Sequence, residues 1–509
     1  MRTKNSIKTM ITALASNAVA ILINLIAQAL FIKILGSEYL GLNSLFSNIL
    51  SMLAIVELGI GSAIIFNLYK PIEEKDKETI KSLMIFYRKS YSIIGIIVLV
   101  IGLIIIPFLP FLIKEVTISI NLNIIYILFL LDTVFSYFLS YKRSILYANQ
   151  KSYIINIIHI IYLFCLNFFQ ILILFLTQNY YLYLVIKIVM RILENVAITI
   201  YANHLYPYIL EKNVKPISKQ IKTDIMKKVK ALFFHKVGSF VVFGTDSLVI
   251  SKYLGLTTVG LYSNYNLVIN GINTVVNQIV SSTTASVGSM LVSETKEKQF
   301  SIFKKIRFIN FWLACFSGTG LLVVMQTFIS IWIGKKYLLS LTILIVLVIN
   351  YYFSTTRSTY NAFKDAAGIY YEDRFIPIIE SISNILLSII LVKLIGLAGV
   401  FIGTIISGMA LWCYSYPKFV YKKIFKEKIS NYYKETLAYF ILFLLVSLTT
   451  YAISILISSK TLIIDLFLKL IIACIIPNLL MFIIFKKGEN FQYCLSLFPK
   501  LKKAKLRRK

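Results

Sequence analysis

Lys33–Leu42 reads KILGSEYLGL, and Lys252–Leu261 reads KYLGLTTVGL. Lys33, Gly36, Gly41 and Leu42 map onto Lys252, Gly255, Gly260 and Leu261 at one offset of 219 residues. A shorter echo, KLIGLAGV, begins at Lys393. Each copy sits between two long apolar runs and reads as a tight hairpin between membrane helices. Glycine at both ends lets the backbone turn sharply and lets two helix ends approach closely. A repeat of this length predicts two similar multi-helix lobes in one chain. The shared offset sets the first two copies apart from chance, whereas the third reads equally as a coincidental Gly-rich connection.

Composition agrees. Of 509 residues, 58% are hydrophobic, above the roughly 45–50% of a soluble domain, so the chain is an integral membrane protein. The formal net charge of +31 would suggest nucleic acid in a soluble chain; here the positions of the charges decide. Cys165, Cys315, Cys413, Cys474 and Cys494 are scattered through mostly apolar runs, with neither disulfide nor metal-ligand spacing. Arg2, Lys4 and Lys8 precede an apolar run over 11–34, too long for the core of a cleaved signal.

A bilayer is crossed by about 20 apolar residues, and on that ruler the chain has about fourteen spans. They lie near 11–34, 41–68, 90–113, 121–141, 153–177 and 181–205, then 231–254, 258–291, 306–332, 338–360, 374–393, 398–420, 435–457 and 462–485. The fold class is therefore all-α, with two six-helix lobes plus two C-terminal helices. Residues 1–205 form the first lobe, 206–230 a cytoplasmic linker, 231–420 the second lobe, and 421–509 the last two helices and a basic tail. Of 53 Lys and Arg, 42 fall on one set of alternate connections, 7 on the other and 4 within spans. Cationic loops resist translocation, so both termini are expected in the cytoplasm. That bias accounts for the net charge without nucleic acid, and the basic surface suits anionic membrane lipids. Within the linker, Ser218 can cap a short helix with Ile221, Ile225 and Val229 on one face; a surface-lying helix and a solvated basic linker are both open readings.

Two stretches carry a family resemblance. ELGIGSAIIFNLYKPIEEKDKETIKSLMIFYRKSY, Glu57–Tyr91, resembles the second-to-third-helix region of oligosaccharide flippases that serve capsule or O-antigen assembly. FGTDSLVISKYLGLTTVGLYSNY, Phe243–Tyr265, resembles their seventh-to-eighth-helix region. These proteins belong to the multidrug/oligosaccharidyl-lipid/polysaccharide (MOP) exporter superfamily. The resemblance implies two pseudo-symmetric lobes around a central cavity that opens alternately to each side of a bacterial plasma membrane. It implies a cargo of oligosaccharide repeat units on undecaprenyl pyrophosphate, moved from the inner to the outer leaflet. Polysaccharide polymerase and glycosyltransferases would be its partners, and no cofactor is called for.

Such a cargo needs a polar, partly cationic cavity, and ionisable residues inside spans are costly enough to be functional candidates. Lys187, Arg191 and Glu194 stand at i, i+4 and i+7 in the sixth span and share one face. They are either a cavity wall that attracts pyrophosphate or a stripe in which Arg191 pairs with Glu194. Arg357, with Lys364 and Arg374, brackets the inner end of the tenth and eleventh spans, as a substrate contact or simply by the positive-inside bias. Glu57, Asp132 and Asp246 are carboxylates inside spans, suited to coupling transport to H+ or Na+, or to bonding nearby Ser, Thr and backbone groups. His159, alone in the fifth span, reads as a helix-contact residue. Tyr137, Tyr141, Tyr351, Tyr352 and Tyr360 suit sugar stacking and interface belts equally. A groove for a polyprenyl tail is one use for the last two spans.

Enzyme readings find no support, for the sequence has no phosphate-binding G-x-x-x-x-G-K-[ST] loop, no H-E-x-x-H and only three histidines. Metal binding has none either. The competing transport readings are an ion-coupled multidrug antiporter, which usually has twelve spans and often an acid in its first helix, and a peptidoglycan-precursor flippase, whose first helix is typically arginine-rich. A membrane glycosyltransferase or polymerase would need a large outer loop, and every outer connection here is short.

Overall fold

The computed structural model describes residues 2–53, 57, 60–114, 118–211, a few positions over 214–226, and then 244–281, 284–369 and 372–493. Every regular element among them is helical. In the first half these are α1 (Arg2–Leu35), α2 (Ser37–Leu53), α3 (Ile60–Glu73), α4 (Lys77–Ile105), α5 (Leu122–Tyr137), α6 (Tyr141–Ala148), α7 (Ser152–Thr177) and α8 (Tyr180–Leu205). Then come α9 (244–254), α10 (Leu256–Ser281), α11 (Thr284–Ser293), α12 (Lys296–Trp332), α13 (Leu341–Ala366), α14 (Ile376–Ile395) and α15 (Leu397–Ala410). A π-helix (Leu411–Phe425), α16 (Ile429–Leu456) and α17 (Leu462–Phe485) close the series.

In order, these helices fall on the fourteen expected spans. Nine helices among the described residues are long and apolar enough to cross a membrane, and the α5–α6 pair, bent by 43°, makes a tenth. Of the other four, the seventh is described only over 244–254, and the second, sixth and eighth depart from the simple pattern for physical reasons. The second is two helices, α2 and α3, with Glu57 in a 3-10 turn at the break. The sixth, α8, carries three charges. The eighth, α10, has no charge but is rich in asparagine.

The chain forms two compact units, Met1–Gly260 and Leu261–Lys509. Sequence places the boundary in 206–230, a segment that lies mostly outside the described residues together with most of its expected surface helix. The second hairpin is bound into the first unit. A Cβ on Gly41 would collide with the backbone carbonyl of Leu256, and one on Gly260 with that of Ser37. The 219-residue offset carries Ser37 onto Leu256 and Gly41 onto Gly260, so these two contacts are the same contact seen twice about a local two-fold axis. The backbone of Lys114 also donates to Ser251 O at 3.2 Å, and Lys252 Nζ to Phe111 O at 2.5 Å. Gly36 and Gly255 do the turning, at φ +94° and +88°, a region costly for any residue with a side chain. Gly396, in the third copy, has φ +63°.

In the first unit α7 packs against α1 and α8, and α8 packs against α5, which in turn meets α4. In the second unit α12 is central, flanked by α13, α16 and α17. Polar pins hold the last two helices to it: Thr327 Oγ1 donates to Asp465 Oδ2 at 2.9 Å, Trp312 Nε1 to Asn478 at 2.8 Å, and Thr319 and Ser447 share a hydrogen bond of 2.8 Å. Lys469, a cation inside the last span, is paired with Asp465 at 2.8 Å. Phe311 stacks on Tyr439 and Tyr352 on Phe443, both with centroids 4.3 Å apart. Those helices lie outside the repeat, and their contacts are specific rather than generic apolar burial.

Candidate functional site

The site grows from α8. Asn179 starts this helix by accepting from Tyr181 N and Leu182 N at 2.9 and 3.2 Å, as an N-cap does. Its charged face then meets α5, α6 and α7. Arg191 reaches Asp132 of α5 at 3.4 Å and Glu194 at 2.9 Å. Lys187 reaches Asp132 at 3.2 Å. Arg143 of α6 reaches Glu194 at 3.3 Å, and His159 of α7 donates from Nδ1 to Glu194 at 2.9 Å. The cations also lie over rings: Arg191 over Tyr162 at 4.9 Å and Lys187 over Phe129 at 4.6 Å.

Burial in this cluster is asymmetric. The Glu194 side chain is fully buried and Asp132 is 9% exposed, whereas Lys187, Arg191 and Arg143 keep 24%, 23% and 27% of their side-chain surface. The carboxylates sit behind and the cations in front. Removing a carboxylate would leave its cations uncompensated, so Asp132 and Glu194 serve first to hold a cationic wall in place. Asp132, one of the carboxylates expected inside the spans, stands with Lys187 and Arg191.

The wall borders a cavity of about 400 Å³ lined by Glu57, Tyr91, Tyr137, Ser140, Arg143 and Arg191, among others. Two irregularities open it. One is the break between α2 and α3 at Glu57. The other is the α5–α6 bend, where Leu139 takes φ +69°. The carbonyls freed at that bend are satisfied by Asn195 Nδ2, which donates to Phe135 O at 3.0 Å and Phe138 O at 3.2 Å. A bend buried at membrane depth requires such a partner. Asn195 Oδ1 in turn accepts from Arg143 Nη2 at 3.0 Å. Arg143 Nε is buried with no partner, an unused donor in the wall of a polar cavity. On the facing wall Tyr91 donates to Glu57 at 3.2 Å, with Gly61 leaving room beside both.

Helical spacing brings Lys187, Arg191 and Glu194 together, whereas Arg143 and Asn195 join them only through the α5–α6 bend. By sequence Arg143 falls in the short connection after the fourth span. The available signal was its place beside Lys142, directly after a run of Tyr and Ser that ends the fourth span. Arg357 lies in the second unit, where it pairs with Glu380 at 2.8 Å. Lys364 pairs with Asp373, and Arg374 lies over Phe375, so each of these three cations has a local contact. Asp246 is buried in α9, where neighbouring Ser247 accepts from Asn48 at 2.7 Å. Among the described residues no group of three or more His, Cys, Asp or Glu is gathered as a metal site.

No family model and no curated protein matches this chain. Solved structures do. The lipid II flippase MurJ in an inward closed conformation superposes with a TM-score of 0.68 at 16% identity, covering 94% of this chain and 99% of that one. An inward-facing multidrug-resistance MATE transporter of the MOP superfamily gives 0.62 at 15% identity, over 83% and 99%. A mutant of the Vibrio cholerae MATE transporter VcmN gives 0.55 at 14% identity, over 84% and 99%. The chain has the fold of MOP transporters.

Proposed function

We propose that this chain is a lipid-linked oligosaccharide flippase, with the pyrophosphate of its cargo held at the α8 wall. The observation that carries the reading is three partly exposed cations backed by two buried carboxylates, beside a cavity in which Arg143 Nε has no partner. Such a wall presents positive charge and directed donors to a multivalent oxyanion. It suits a drug cation poorly, since Asp132 and Glu194 are already neutralised by ion pairs. The larger coverage by a lipid flippase than by the drug transporters supports the same direction. Glu57, across the cavity and bonded to Tyr91, is the carboxylate we assign to proton or sodium coupling. The cargo moves from the inner to the outer leaflet of a bacterial plasma membrane, with both termini of the chain cytoplasmic. Genes for capsule or O-antigen glycosyltransferases beside this one would place it in that pathway, whereas cell-wall genes would favour a peptidoglycan precursor.

The test is binding of undecaprenyl pyrophosphate to the purified chain, with ethidium as the drug-cation control. Wild type should bind the pyrophosphate and not ethidium. Arg191→Lys should weaken binding, Arg191→Ala more, by roughly tenfold to a hundredfold, and Arg191→Glu most. Near-wild-type binding by Arg191→Ala with Glu194→Ala would make the pair structural. Binding of ethidium alone would favour the antiporter.

A further inference from the structure

We infer that α10 carries a hydrogen-bonding track for the neutral sugar units of the cargo, built from Asn266, Asn270, Asn273 and Asn277. The inference rests on the glycan reading above but on different residues, in the second unit. Leu256–Ser281 is long enough to span a membrane and contains no Asp, Glu, Lys or Arg, yet it is too polar to count as an apolar span. The polarity is organised. At 100° per residue, Tyr262, Asn266, Asn270, Asn273 and Asn277 fall within an arc of about 80° and extend about 22 Å along the axis. The opposite face holds Val268, Ile272, Val275 and Ile279 together with the fully buried Asn264; Val275 and Ile279 are exposed, as lipid-facing side chains are.

The amides bond partly to each other. Asn270 Nδ2 donates to Asn266 Oδ1 and Asn277 Nδ2 to Asn273 Oδ1, both at 3.0 Å. Tyr262 donates to Asn266 at 3.4 Å and Thr355 to Asn273 at 3.2 Å. Asn277 Oδ1 remains buried without a partner, while Asn270 and Thr274 are exposed. Facing hydrocarbon, such groups would each cost free energy, so this stripe faces a wet path. Four amides supply donors and acceptors alternately, the complement of hydroxyl and acetamido groups, which also do both. With no charge on the helix, the stripe has nothing specific to offer a phosphate. The chain thus divides recognition: cations on α8 for the pyrophosphate, amides on α10 for the sugars.

The probes are neutral tetrasaccharides, maltotetraose and tetra-N-acetylchitotetraose, with a polyether of equal mass as control. Stabilisation of the purified full-length chain against heat is read over a millimolar range. Undecaprenyl pyrophosphate binding, measured alongside, reports on folding. At least one glycan should stabilise wild type, and Asn270→Leu with Asn277→Leu should weaken that effect by roughly tenfold or more, as expected for two lost hydrogen bonds. Asn270→Gln should retain part of it. Equal glycan binding by wild type and the double variant overturns the track and leaves the pyrophosphate reading intact. Failure of both glycans to stabilise wild type beyond the polyether also overturns it. Glycan binding that depends on the amides, in a chain indifferent to the pyrophosphate, supports the track and removes the α8 assignment.

Discussion

Glu194 is the residue on which the cationic wall depends. Its carboxylate is fully buried and is met by Arg191, Arg143 and His159. Glu194→Gln keeps the shape and removes the charge that compensates two arginines. Breaking a buried pair from one side costs about 3–5 kcal/mol, so this variant should melt well below wild type in detergent and reach the membrane in lower amount. Lys187→Ala removes a partly exposed cation and should leave the melting point nearly unchanged while weakening pyrophosphate binding. Equal melting of Glu194→Gln and wild type would show that Glu194 supports nothing. How the sequence encodes this site depends on periodicity. Lys187, Arg191 and Glu194 are legible because helical spacing alone places them together. Arg143 and Asn195 are not, because their roles follow from a bend after Tyr137 that no proline or glycine announces.

The elements that turn the chain divide two tasks among four glycines. Gly36 and Gly255 have positive φ with open space around the missing Cβ, whereas Gly41 and Gly260 are helical and touch backbone across the hairpin pair. Alanine at Gly36 or Gly255 costs about 1–2 kcal/mol of left-handed backbone strain. At Gly41 or Gly260 it meets a carbonyl that belongs to another helix, which forces the helix ends apart and costs at least as much as overpacking a core, about 1–3 kcal/mol or more. Thermal melting of the four alanine variants should therefore order them in two pairs, with Gly41→Ala and Gly260→Ala the less stable. An order that instead groups Gly36 with Gly41 would remove the local two-fold. The repeat was readable because offset and residue type coincide. The interruption between α2 and α3 and the amide stripe of α10 are not legible in hydropathy, since a hydropathy window averages over both.

At the scale of the molecule, helix number and order follow from apolar length. Two compact units part at Gly260 in the sequence, and the expected joint, 206–230, lies mostly outside the described residues. Orientation in the membrane rests on charge alone. Forty-two basic residues on one set of connections against seven on the other is a bias that translocation does not overcome for short loops, and 206–230 carries seven of the forty-two. With the five native cysteines replaced, a single cysteine at Ser218 should resist a membrane-impermeant thiol reagent in intact cells and react once the cells are opened. A cysteine at Ser459, between α16 and α17 and on the opposite side by the same count, should react in intact cells. The pair of sites makes the experiment decisive. Labelling at Ser459 but not Ser218 fixes the termini inside, and the reverse pattern would invert every connection at once, placing the basic surface outside and the direction of transport in need of another basis.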